Sequence, residues 1–492
     1  MSGRSIWLRS GRPPESSARR VYDYPLINNS GLEKARILDQ FSGSLKERRA
    51  AWTHRPAGMR MRSSSLLILF TCGFLVHAGL PMAQAQGGSA AYRAAVEQRF
   101  AKWLEGLRDE AASRGVSADT FDRALKDVKL DWKLPDLAPP ELGPGQPARP
   151  QAEKAERQKQ QAEFDRPANY FRRKNLQWVT RLGRENLSRW KDTLEAIEKK
   201  FGVGKHVVLA IWGRETAFGR ARLPHYAVRA LATQAFMGRR QEKFREELLL
   251  ALGILQEGHV TRSGMRSSWA GAMGHTQFLP SDFRKYAVDF NGDGRRDIWG
   301  TIPDALASTA NYLSKNGWQK GKAWGYEVRL PDDFDCTLEG IANARTIKEW
   351  LDLGVTRTFG RKFRSDRLPE KVHLVAPAGT LGPSFLVLDN FEVFRAYNKA
   401  DLYALYVGHV ADRILFAGNF EGRWSRVKGF SRDEMRRLQT ALAREGYDVG
   451  KIDGLIGSRT RSAVGQLQKK LGHKVTCYPT RALLKLAPPL QN

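Results

Sequence analysis

Cysteine is scarce. Three in 492 residues (Cys72, Cys336 and Cys477) exclude a scaffold built from disulfides, and none stands in the Cys-x-x-Cys spacing of a zinc site. Acidic side chains are also in short supply. The 52 Asp and Glu against 81 Lys and Arg leave a formal charge of +29, which points to a polyanionic partner such as nucleic acid, acidic lipid or acidic glycan. The apolar run from Leu66 to Leu80 falls short of the ~20 residues that a membrane span needs. A largely disordered chain is excluded by 41% hydrophobic and 27% charged residues. At 492 residues the chain exceeds one ordinary core, since domains run to ~100–200 residues each.

Met59-Arg60-Met61-Arg62 makes a basic start, Leu66 to Leu80 an apolar stretch, and Ala83-Gln84-Ala85 the small-x-small pattern that a signal peptidase reads. This predicts a signal peptide over 59–85, cut near Ala85-Gln86, with export to the periplasm and no transmembrane anchor in the mature chain. Residues 1–58 mix Arg, Pro and Ser without helical or strand period. They read as a disordered extension ahead of a true start at Met59 or Met61. Setting aside the 13 basic and 5 acidic residues before Gln86 leaves 68 against 47, net +21. Export argues against nucleic acid as the partner. It also leaves only Cys336 and Cys477, far apart and in different domains, so no disulfide is expected.

Residues 86–134 read as an N-terminal helical part, because Phe100, Trp103, Leu104 and Leu107 fall at i, i+3, i+4 and i+7. Pro135 to Pro150 holds six prolines in sixteen residues and runs into a charged stretch, so 135–163 reads as an exposed insertion that forms no packed element. Residues 164–421 form the main domain, mostly helical, with a few short strands near Tyr326–Leu330 and Ser384–Asp389. A basic hinge over 422–429 leads to a small separate domain at 430–487. The expected fold class is mainly α.

Within the main domain, His206 to Phe218 reads as a helix whose core-facing positions are Val208, Ile211, Glu215 and Phe218. Glu215 thus sits on an apolar stripe, where loss of water favours the protonated carboxyl and suits a proton donor; a buried structural Glu paired with Arg214 is the alternative. Gly219 is the expected helix stop. In Ser267 to Pro280 the small residues let a backbone approach a ligand closely, while Ser268 and Gln277 offer hydrogen bonds. Asp289-Phe290-Asn291-Gly292-Asp293-Gly294-Arg295-Arg296-Asp297 puts oxygen ligands at positions 1, 3 and 5 of a calcium loop, the Gly at 6, the Arg295 carbonyl at 7 and Asp297 at 9. Gly300 stands at position 12, where such a loop needs a bidentate acid, and Asp304 is the candidate replacement. A metal-free Asx turn is the other reading of this loop.

Taken together, the chain resembles the B-type lytic murein transglycosylases. The stretches that carry the resemblance are Gly213-Arg214-Glu215-Thr216 with Phe218-Gly219, Trp269 to Gly274 continuing to Gln277-Phe278-Leu279-Pro280, and Tyr286 to Phe290 with Gly292-Asp293-Gly294. Ala310-Asn311-Tyr312-Leu313 with Gly317-Trp318, and Tyr397-Asn398 with Tyr403, complete the set. The resemblance implies a lysozyme-like α+β catalytic domain with a glycan groove. It implies that Glu215 is a single general acid/base, that Ser268, Gln277, Tyr397, Asn398 and Tyr403 line the groove, and that Asp289, Asn291, Asp293, Arg295 and Asp304 form a metal loop.

The chemistry so implied cleaves the bond between N-acetylmuramic acid and N-acetylglucosamine without water and leaves a 1,6-anhydro end. It needs no cofactor, with Ca2+ in a structural role only. A lysozyme-type hydrolase and a non-catalytic wall-binding scaffold are the competing readings. As a second carboxylate, Asp289, Asp293, Asp297, Glu257 and Glu185 all stay open.

From Phe430 to Ala487, Leu438-Gln439, Gly446-Tyr447, Ile452-Asp453-Gly454, Thr460 and Ala463-Val464 resemble the peptidoglycan-binding type 1 domain, a small three-helix bundle. The chain from Arg426 carries 14 basic and 5 acidic residues, suited to acidic wall polymers. The expected partner is the peptidoglycan glycan strand, engaged by a monomer, with the terminal module as a tether.

Overall fold

The computed structural model describes residues 82–149, 166–416, 418–425, 427 and 429–486. The 1–58 extension, the signal-peptide stretch up to residue 81 and residues 150–163 of the insertion lie outside the described residues. No described helix is long and apolar enough to cross a membrane.

Helices dominate. The N-terminal part is three helices, α1 (Met82–Glu105), α2 (Arg108–Ser113) and α3 (Ala118–Leu125), broken near Gly106 and at Gly115. Phe100 and Leu104 of α1 are buried and Trp103 is half-buried, while Leu107, also buried, lies in the break before α2. The main domain follows with α4 (Pro167–Tyr170), α5 (Arg173–Arg189), α6 (Lys191–Phe201), α7 (Lys205–Thr216), α8 (Ala227–Met237), α9 (Gln241–Gln256), α10 (Pro280–Tyr286) and α11 (Ile302–Lys315). After a sheet region with α12 (Ile347–Asp352) come α13 (Asp389–Tyr397) and α14 (Asp401–Leu415). One hydrophobic core runs from Tyr92 to Phe420 through all of these except α12 and holds α7 at its centre.

Strands β1 (His225–Tyr226) and β2 (Arg266–Ser267) form a small antiparallel pair against α8. The larger sheet contains β3 (Gly325–Arg329), β4 (Arg345–Thr346), β5 (Thr356–Arg357), β6 (Lys371–Val375) and β8 (Ser384–Val387) in the order β4-β6-β8-β3-β5, with β7 (Pro377–Thr380) beside it. Every pairing is antiparallel; β3 meets β8 with Gly325 opposite Val387, and β6 meets β8 with His373 opposite Val387. This sheet has its own core around Tyr326, Trp350 and Leu386.

The C-terminal bundle is α15 (Arg432–Arg444), α16 (Ser458–Lys470) and α17 (Arg481–Leu486), around a third core of Met435, Leu438, Val464 and Tyr478. Ser431 and Glu434 form a capping box that starts α15. Gln439 is buried and crosses the bundle, accepting from Gly454 N (2.7 Å) and donating to Leu455 O (3.0 Å), which fixes the Gly-rich turn.

Three expectations need correction. The Pro-rich segment packs over its described part. Leu142 is buried, Pro135 O accepts from Gln234 (2.9 Å), Pro140 O from Tyr92 (2.7 Å) and Leu142 O from Arg99 (2.6 Å). Proline has no N–H to satisfy, so carbonyls taken by side chains of α1 and α8 suffice to seat the strap.

Next, Cys336 and Cys477 do form a disulfide, across 141 residues. Docking of α16 on the turn that carries Cys336 brings the two Cα atoms to 6.0 Å, within bonding reach. Finally, 422–429 is no free hinge over its described residues. Trp424 stacks on Phe171 at 5.3 Å, Ser425 N donates to Leu381 O (2.9 Å), and Gly422 N to the Glu327 carboxylate (2.8 Å).

Candidate active site

α7 carries Glu215 one residue before its end. The helix stops at Thr216, and Ala217, Phe218 and Gly219 are all left-handed, at φ 51°, 58° and 77°. Two of these bear side chains that disfavour that region, so the turn after Glu215 is held against local preference. What holds it is the Gly-rich segment. Trp212 Nε1 donates to His275 Nδ1 (3.1 Å), and Thr216 Oγ1 donates to His275 O (3.3 Å). Gly219 must be glycine here, because a Cβ would lie 2.4 Å from the His275 ring. Burial pushes the His275 imidazole down, so it is neutral and its Nδ1 can accept from Trp212.

Glu215 itself is half-buried. From α14, Tyr403 donates its hydroxyl to Glu215 Oε1 at 2.5 Å. Tyr403 is buried, and its ring stacks on that of Tyr397 at 6.4 Å and 10°. Burial, and then the Glu215 charge, push both phenols well above their ordinary range, so both stay protonated as donors. Tyr397 Oη donates to Thr276 O (2.6 Å), which ties α13 to the Gly-rich segment. Behind it Tyr312 packs on Tyr397 and Tyr286 at 4.7 and 4.5 Å. Arg214 donates to Tyr170 Oη (2.8 Å) and lies over the rings of Tyr170, Tyr403 and Tyr406. Tyr170, Tyr406 and His275 are neighbours of the site that the sequence did not single out; only their proximity in the fold marks them.

Ser268 accepts from Ala272 N (3.2 Å) and shapes the loop. Gln277 is left-handed at φ 53° and donates to Gly274 O (3.0 Å). Asn398 is exposed just after α13 and caps the entry to α14 by accepting from Ala400 N (3.2 Å). The structure thus links Glu215, Tyr403 and Tyr397 directly, and places Gln277 next to Thr276 on the same segment. Beyond Thr216 a cavity of about 520 Å³ opens, lined by Gly219, His259, Arg266, His275 and Trp299 among others. It adjoins the end of α7, and neither Glu215 nor Ser268, Gln277, Tyr397, Asn398 or Tyr403 is part of its lining.

The other acidic candidates are occupied elsewhere. Glu257 is bound by Arg284, Arg296 (2.9 Å) and His259 (3.1 Å), and Glu185 pairs with Arg181 (2.6 Å) on the surface of α5. Asp289 accepts from Gly292 N (2.7 Å) and Gly294 N (2.8 Å), and Asp297 from Trp299 N (2.9 Å) and Gly300 N (2.8 Å). Asp304, fully buried, receives Phe290 N (2.9 Å), Asn291 N (3.4 Å) and Asp297 N (2.9 Å) and pins the 289–297 loop onto α11. Asn291 and Asp293 bond each other at 3.2 Å, and the Arg295 N–H holds the Asp293 carboxyl below its usual range. The donors in this loop are all oxygens, which suits a hard cation. No group of three or more His, Cys, Asp or Glu is gathered as a metal site among the described residues.

Residues 99–412 match the Transglycosylase SLT domain family, and residues 431–486 match a peptidoglycan binding domain. The chain belongs to the SLT lytic transglycosylases. It is 31% identical over 238 residues to "Membrane-bound lytic murein transglycosylase B" of Escherichia coli K12, across 47% of this chain and 62% of that protein. The match therefore spans less than two thirds of that relative's length. SltB3 from Pseudomonas aeruginosa, solved in complex with NAG-anhNAM-pentapeptide, is 40% identical at TM-score 0.69, over 79% of this chain and 99% of that one. Its complex with NAG-NAM-pentapeptide gives 38% identity at TM-score 0.68, with the same coverage. Over the described residues, terminal module included, the architecture is that of a B-type lytic transglycosylase.

Proposed function

We propose that this protein cleaves the bond between N-acetylmuramic acid and N-acetylglucosamine in peptidoglycan without water, with Glu215 as its single acid/base. The observation that carries the reading is Glu215 itself: one half-buried carboxyl fixed by the Tyr403 hydroxyl at 2.5 Å, while the competing acids are bound by arginines or by loop N–H groups. Hydrolysing glycosidases generally use two carboxylates, one to protonate and one to activate water or attack C1. With one, the substrate must supply the nucleophile.

Glu215 donates its proton to the bridging oxygen as the C1–O bond breaks, and N-acetylglucosamine leaves with that proton. The C6 hydroxyl of the same muramic acid attacks C1, and the Glu215 carboxylate takes the hydroxyl proton, closing the 1,6-anhydro ring. The N-acetyl group at C2 can carry the positive centre between these steps. The protein's part is to seat the sugar and keep one carboxyl in place; no cofactor enters the reaction.

Two further assignments belong to this reading. The protein is exported to the periplasm, supported by the pattern ending at Ala85 and by the Cys336–Cys477 bond, which persists in an oxidising compartment. The 289–304 loop takes a structural Ca2+ on the oxygens of Asp289, Asn291, Asp293 and the Arg295 carbonyl, with Asp304 buried beneath.

The test is a zymogram and a muropeptide profile of purified sacculi with Glu215→Gln. Turnover should fall by about 10²–10⁴-fold with the fold intact. Undiminished clearing by this variant sinks the reading, and reducing muramic ends in the wild-type digest would replace it with a hydrolase.

A further inference from the structure

The C-terminal module is joined to the catalytic body by more than its chain. Arg461 of α16 has a side chain only 3% exposed and meets Glu339, 1% exposed, on the catalytic side. Its guanidinium forks onto both carboxylate oxygens, Nε to Oε2 at 2.8 Å and Nη2 to Oε1 at 2.5 Å. Ala376 N (2.8 Å) also donates to Glu339, and Arg461 Nη1 donates to Ile456 O (2.6 Å). Around the pair lie the Cys336–Cys477 bond, Thr380 N to Thr476 O (3.0 Å) and Lys469 to Asp335 (2.6 Å). A module that served only as an anchor would be expected on a long, solvated linker, with its arginines outward.

One contact gives this docking a direction. Arg461 Nη2 also reaches Asp401 Oδ2 at 3.5 Å, and Arg395 holds the other oxygen of Asp401 at 3.0 Å. Asp401 is the first residue of α14, where a carboxylate suits the positive helix end. Two residues on, Tyr403 N bonds Ala400 O (3.0 Å) in the same turn, and the Tyr403 hydroxyl holds Glu215. From the wall-binding module to the catalytic carboxyl there is one ion contact, one helical turn and one side chain.

We propose that Arg461 is a positioning residue for the cleavage step: by bridging Glu339 and Asp401 it fixes the first turn of α14, and so sets the Tyr403 hydroxyl against Glu215. The inference rests on the role given to Glu215 above. It makes the module a brace for the active site as well as a holder of polymer. Removing Arg461 leaves Glu339 buried without its partner and frees Asp401 to shift, and misplacing a catalytic contact by ~1 Å can cost about 10²-fold in rate.

The experiment uses the full chain and a soluble, purified two-disaccharide peptidoglycan fragment with peptide stems, so that retention on insoluble wall plays no part. Arg461→Met and Asp401→Asn should each lower kcat about tenfold or more, alter the pH profile of kcat and leave KM within about twofold. Arg444→Gln, on the exposed face of α15, should behave as wild type. Where Arg461→Met fails to fold, Asp401→Asn decides alone, since it leaves the Glu339–Arg461 pair and the disulfide in place. Wild-type kcat and pH profile in Asp401→Asn overturn the brace. A wild-type enzyme that releases no anhydro product from the fragment overturns the Glu215 reading, and the brace with it.

Discussion

Tyr403 supplies one hydroxyl to one carboxylate oxygen of Glu215, at 2.5 Å. Once Glu215 has given up its proton, a hydrogen bond to the charged carboxylate contributes about 1.5–3 kcal/mol. Tyr403→Phe keeps the ring stacked on Tyr397 and removes only that donor. It should lower kcat about 10- to 100-fold while thermal unfolding stays near wild type; steady-state kinetics on the soluble fragment checks this. The calcium assignment is also a matter of single residues. Added Ca2+ should raise the melting temperature, EDTA should lower it, and Asp289→Ala should abolish the difference, as scanning calorimetry would register. At this scale the sequence was legible where a residue contradicts its surroundings, as Glu215 does among the apolar positions of α7. Tyr170, Tyr406 and His275 left no such mark, because an aromatic beside apolar residues reads as core whether or not it faces a reacting group.

Helix α7 is the element on which the site depends. It is buried on nearly every side, and its His206, fully enclosed, is pushed by desolvation from 6.5 to about 4. A histidine that resists protonation when folded contributes stability above pH ~6.5, and that contribution is lost as pH falls toward about 4. Urea midpoints should therefore drop across this window, and His206→Leu should make the drop shallower; an unchanged slope would remove His206 from the acid response. The apolar period of α7 and a stop near Gly219 could be read from the sequence. The left-handed Ala217 and Phe218 could not, since neither residue favours that conformation. They follow from a tertiary requirement, the seating of the Gly-rich segment through His275. Strand β6 escaped for a related reason. The strand reading did not extend to Lys371 to Val375, whose identity depends on pairing with β8.

Across the whole molecule, the sheet region has a core of its own that the sequence did not separate from the main domain, and the joining of the cores was not legible either. A bond between Cys336 and Cys477 spans 141 residues and depends on α16 coming to rest against the turn at Cys336; spacing along the chain says nothing about that. Cys336→Ser with Cys477→Ser should destabilise the docked module by roughly 2–4 kcal/mol in denaturant unfolding. A thiol label should reach the native pair in the wild type only after a reductant is added. The strap at 135–149 teaches the same lesson, since its prolines predict only an irregular backbone and leave open whether carbonyl partners wait on α1 and α8.

The central claim is that the glycosidic bond breaks with an internal hydroxyl, never water, as nucleophile. Digestion of purified sacculi in H₂¹⁸O, followed by mass spectrometry of the new muramic termini, measures this directly. The account predicts unlabelled anhydro ends in the wild type and none in Glu215→Gln. Incorporation of ¹⁸O at C1 of the released muramic acid would contradict it.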